Sequence, residues 1–245
     1  MSEAPATSSP SAEGPGLSLP ARVWGILTSP RETFADVAAR PRWFGMMALV
    51  LVVTAVGLGV FYSTEVGQTA FLDQQAEQAR AAGREIPEAQ WAVTQKMASY
   101  MGLITAASTL VLAPVMWLAV SGLLFVVFNV AMGGTATFKQ LFAVFVHSTA
   151  VTLVQTLFVT PLNYARESAT SATNLAVFLP MLDERSFLAK FLGTIDLFIV
   201  WWVVVLAIGL AVLFKRKTGP IAAGLFIVYG VIAVIVAAFF GRGGA

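Results

Sequence analysis

The chain has 245 residues, of which 58% are hydrophobic and only 11% charged, with a net charge of +2. A soluble domain of this length needs more polar cover, and so small a charge offers nucleic acid no electrostatic footing. With no Cys and a single His, disulfides, thiolate chemistry and multi-histidine metal sites are excluded, and no cofactor is expected.

The chain opens on a stretch rich in Ser, Pro, Ala and Gly with acids but no base before Arg22. It lacks the basic start and apolar core of a secretory signal, so residues 1–16 read as a disordered cytoplasmic tail. Residues 17–43 read as an amphipathic segment lying on the cytoplasmic leaflet. Within it Leu19, Val23, Trp24 and Leu27 share a helical spacing. "SPRE" at Ser29 to Glu32 predicts a capping box with Pro30 in the first turn, and Pro41 ends that helix at Arg40. Phe34 and Val37 fall on its apolar face.

Residues 44–240 carry five apolar runs, about 44–62, 104–132, 138–160, 190–214 and 221–240, each near the roughly 20 residues a membrane crossing needs. The fold class is therefore an all-α, polytopic membrane protein with five transmembrane helices. The second run is long for one straight crossing, and a helix starting near Pro87 is expected to project outward through Trp91 and Tyr100 before Pro114 bends it. Arg22, Arg31, Arg40, Arg42, Lys139 and Lys215 to Lys217 fall on one side of a five-span arrangement. The positive-inside rule makes that side the cytoplasm. The connections Ser63 to Ser99 and Leu162 to Phe187, with the short tail 241–245, then lie outside. A bacterial inner membrane is the expected location. No internal repeat is visible, and an odd span count disfavours a simple inverted-repeat transporter.

Three segments in this order, "ILTSPRETFADVAARPRW", "GGTATFKQLFAVFVHSTAVTLV" and "TIDLFIVWWVVVLAIGLAVLFKRK", resemble the prokaryotic branch of the Yip1 family. The resemblance covers most of the chain from Arg22 onward, apart from the first outer connection, and none of the three is a catalytic signature. It implies five spans, a cytoplasmic N-terminus and no known enzymatic activity. Eukaryotic members bind Rab GTPases, but their Asp-Leu-Tyr-Gly-Pro motif is absent here, so that role does not carry over.

Ionisable residues within a membrane are costly and mark functional candidates. Away from the basic ends of the apolar runs, two matter here, His147 and Asp196. Counted from Lys139, His147 lies about 12 Å and Gln155 about 24 Å along the third span, which puts Gln155 rather than His147 level with Asp196. Asp196, Gln155 and His147 form the candidate intramembrane polar site. The more ordinary reading of each is a hydrogen bond between packed helices, and Trp201 and Trp202 read as packing residues. Ser121 and His147 have similar depth, yet "AVSG" lacks the Gly of a Gly-x-Ser-Gly pattern and no oxyanion donors are apparent. The sequence thus points to a non-enzymatic scaffold or membrane organiser, with a docking face of Phe34, Val37 and Trp24 for a protein partner. A small transporter or channel subunit built on the intramembrane polar residues is the alternative.

Overall fold

A computed structural model describes residues 16–81, 83–179, 181–183 and 186–241. Most of the expected disordered tail, Glu184, and residues 242–245 of the outer tail lie outside them. The described residues form helices and connecting turns, with one isolated bridge between Asn174 and Asp196. Among the described residues, four helices are long and apolar enough to cross a membrane. These are α3 (Phe44–Ser63), α6 (Met101–Phe125) with its π-helical continuation Val126–Ala131, the α7–α8 pair (Phe138–Ser148 and Val151–Ala165), and α11 (Thr218–Gly241). A fifth apolar helix, α10 (Leu197–Leu213), has 17 residues and is about 25 Å long.

The first outer connection is mostly helix, as α4 (Glu65–Ala81) and α5 (Glu88–Ala98). Pro87 stands just ahead of α5, as its fixed φ favours. The expected run from Pro87 through Tyr100 is interrupted, however. The Ser99 hydroxyl donates to the Lys96 carbonyl at 2.8 Å and the Tyr100 amide to Met97 at 2.9 Å, closing α5 before α6 begins.

The fourth apolar run is not one helix. It divides into α9 (Phe187–Thr194) and α10 around Ile195 and Asp196, which have extended backbone angles. Asp196 therefore stands at a helix start and not inside a span. The third run bends where the Ser148 and Thr149 hydroxyls donate to carbonyls three residues back, Phe145 at 2.6 Å and Val146 at 2.7 Å. Such back-bonding competes with the regular helical ladder.

α7 is the centre of the molecule. Every residue from Leu141 to Ser148 is buried, because α7 is packed by α10, α6, α3 and the two N-terminal helices, α1 (Leu19–Thr28) and α2 (Pro30–Ala39). Within α7, Leu141 to Val146 is apolar on every face, as suits the interior of a bundle. Its start is a capping box, in which Thr137 Oγ1 accepts from the Gln140 amide and the Gln140 side chain accepts from the Thr137 amide. The box expected at Ser29 does not form. Ser29 also ends α1, donating its amide to Gly25, and its ψ of 59° differs from the extended angle of a capping residue.

The amphipathic N-terminal segment is also repositioned. Phe34 and Val37 are fully buried and join Ile26, Met46, Val50, Val144 and Val205 in one core. Phe34 packs where Gly209 leaves α10 without a side chain: a Cβ there would meet Phe34 at 2.9 Å and Val144 at 2.6 Å. The apolar face of α2 is thus spent on the bundle and is closed to a docking partner. Trp24 alone of the expected face is open, at 69% exposure.

Candidate functional site

Leu19, Arg22, Val23 and Ile26 share one stripe of α1 at spacings of three and four. Arg22 is therefore carried inward with the apolar residues, and only 3% of it is exposed. A buried guanidinium must have each nitrogen satisfied. Nε and Nη2 donate to one oxygen of Asp36, at 3.0 and 2.8 Å. Nη2 also donates to the Arg40 carbonyl at 3.1 Å, and Nη1 to the Arg42 carbonyl at 3.4 Å. Both carbonyls lie just past the end of α2, beyond its helical ladder, and the Arg40 carbonyl also accepts from the Arg42 amide at 2.8 Å. The other Asp36 oxygen accepts from Arg40 Nη1 at 3.2 Å.

The remaining contact of Arg22 Nη1 is His147 Nε2, 3.4 Å away on α7. Arginine cannot accept, so Nε2 must. His147 Nδ1 lies 2.7 Å from the Ala143 carbonyl, which in turn requires a donor. Both contacts are met by the neutral tautomer protonated at Nδ1. One cation, one carboxylate and one imidazole thus fasten α1 and α2 to the central helix. A second tie is the Gln140 side-chain amide, which donates to the Ala38 carbonyl at 3.1 Å.

Asp196 has different partners from those expected. One oxygen caps α10 by accepting from the Phe198 amide at 2.8 Å, and the other accepts from Ser171 at 2.6 Å and Thr173 at 2.7 Å. Its own amide donates to the Tyr229 hydroxyl, which donates to the Thr194 carbonyl. Gln155 has no part in this cluster. It lines a separate hollow of about 370 Å³, where Thr54, Thr109, Thr149 and Thr152 supply hydroxyls among apolar walls. The structure thus separates the three intramembrane candidates: His147 joins Arg22, Asp196 caps α10, and Gln155 faces the hollow. Ser121 is buried with no hydrogen-bond partner for its hydroxyl, and both His147 nitrogens are engaged elsewhere, so no Ser–His dyad is assembled. Trp202 is anchored by donation from Nε1 to Ser148 Oγ at 3.0 Å.

Asp36 and Arg22 are not apparent as a pair in the sequence, where Arg22 reads only as an orienting charge. Its place within an apolar stripe was the available signal. Asp196 had one as well, since an Asp directly before an apolar run is an N-cap signature.

A family model described as the Yip1 domain matches residues 24–240. Membrane protein YknW of Bacillus subtilis (strain 168) is similar at 28% identity over 210 residues, covering 82% of this chain and 79% of that protein. No solved structure matches.

Proposed function

Because the chain belongs to the Yip1 domain family of membrane proteins, we propose that it is a non-enzymatic scaffold or organiser of the membrane, working through a rigid N-terminal cap. The observation that carries this reading is the Arg22–Asp36–His147 network. It fixes α1 and α2 on the bundle while turning Trp24 outward. A docking residue on a fixed platform loses less conformational freedom on binding than one on a loose arm. In this reading α10 makes the fifth crossing, the N-terminus is cytoplasmic, the C-terminus is outside and the membrane is the inner one. The basic segments support that orientation: Arg31 donates to Thr218 at 3.1 Å and Arg216 to the Met132 carbonyl at 2.8 Å, and Gln140 reaches Ala38, so they gather at one end of the bundle.

The test is a photo-crosslinking residue at position 24 of the full chain in native membranes, with one at Val228 for comparison. A discrete protein adduct at 24, absent at 228, is expected. Adducts with lipid alone at 24 would make Trp24 an interfacial anchor and end the docking proposal.

The hollow beside Gln155 supports a second reading, a small transporter or channel subunit. It requires solute flux in proteoliposomes that Gln155→Leu abolishes. The scaffold reading requires none.

A further inference from the structure

α6 packs chiefly on α3 and α7, and α11 on α9 and α10. Between α6 and α11, over the face of α10, runs a groove of about 890 Å³. Its walls are apolar and open: Leu123 and Val127 on one side, and Val228 and Ile232 on the other, are 40–65% exposed. Val120 to Met132 and Pro220 to Ile232 are lining stretches of similar length, so the groove is about 18 Å deep. That is close to one leaflet of a core about 30 Å thick.

One end of the groove is lined by Lys215, Arg216 and Lys217, all exposed. No acid is among the residues that line the groove, and Glu32 lines a neighbouring hollow together with Arg31, a base of its own. Among the lining residues, the triplet's charge has no acidic counterpart. Arg216 is held there by its bond to Met132 on the opposite wall.

Lys215 carries a second, independent signal. It occupies the left-handed position after α10, with φ of 51°. The Arg216 amide donates to Ala211 and the Lys215 amide to Val212, which completes a Schellman motif. Glycine adopts this conformation without steric cost, and a side chain does not. Orientation in the membrane does not require a base at this position, because any base near the span end serves.

We propose that this groove is a binding site for an anionic phospholipid, with the head phosphate on Lys215, Arg216 and Lys217 and an acyl chain along the apolar walls. Basic mouths between transmembrane helices suit acidic headgroups. A free phosphate would meet the mouth but leave the apolar groove unfilled. The proposal stands independently of the scaffold reading.

The experiment uses the purified full chain and native mass spectrometry, with phosphatidylglycerol, phosphatidylcholine of the same chains, and glycerol phosphate as probes. Phosphatidylglycerol should be retained about tenfold over phosphatidylcholine, a difference near 1.4 kcal/mol. Glycerol phosphate should not compete. Gly224→Phe keeps all three bases and should abolish the preference by filling the groove. It should leave the fold intact, since nothing lies within 4 Å of a Cβ at Gly224. Lys215→Gly should raise thermal stability in phosphatidylcholine yet weaken retention of phosphatidylglycerol, two changes of opposite sign that a purely structural lysine would not produce. Equal retention of the two lipids would reduce the groove to ordinary lipid contact and overturn the proposal. So would undiminished preference in Gly224→Phe, or competition by glycerol phosphate.

Discussion

Replacing Arg22 with Met keeps most of the apolar stem and removes the charge. Asp36 then loses two donated bonds, the Arg40 and Arg42 carbonyls lose a partner, and His147 Nε2 is left without a donor. Breaking a buried ion pair from one side costs about 3–5 kcal/mol. The lower end applies here, because the Asp36 side chain is 15% exposed and keeps Arg40. About 3 kcal/mol corresponds to a roughly 150-fold rise in the population of the opened N-terminal helices. The chain has no cysteine, so a single Ile26→Cys reports on that opening without background. Ile26 is fully buried, and a maleimide reaches position 26 only when α1 lifts. Arg22→Met in the Ile26→Cys protein should accelerate labelling by about two orders of magnitude. Asp36→Asn should accelerate it less, since Arg22 keeps its carbonyl partners, and the double variant should fall well short of the sum of the two. A labelling rate unchanged by Arg22→Met would refute the argument that this network holds the cap.

Asp196→Asn should be nearly neutral in thermal melts, because Asn is as good an N-cap as Asp and the Ser171 and Thr173 hydroxyls can reorient, whereas Asp196→Ala should cost about 1–2 kcal/mol. Equal loss in both would show that the negative charge itself matters. Gly209→Leu should be among the most damaging single changes, by several kcal/mol, since its side chain must displace Phe34 and Val144 from a packed core. Full retention of stability in that variant would contradict the close approach of α2 to α10.

Composition and apolar patterning alone settle the class of the molecule. Long apolar runs with few charges leave no other home than a bilayer, and Pro30 and Pro41 bracket α2 through local backbone sterics. These signals are local, so they survive without knowledge of neighbours. What surrounds a helix is not local. Whether Phe34 faces lipid, a partner or the bundle depended on Gly209, 175 residues away. Lipid and protein interior are equally apolar, so hydrophobicity alone could not divide them. Arg22 reads as a surface charge until Asp36, two terminal carbonyls and His147 are brought around it. Asp196 reads as an intramembrane acid until the chain bends beneath it and Ser171 and Thr173 arrive from another segment. A buried polar group takes its meaning from the partners that satisfy it, and only the tertiary structure supplies those partners.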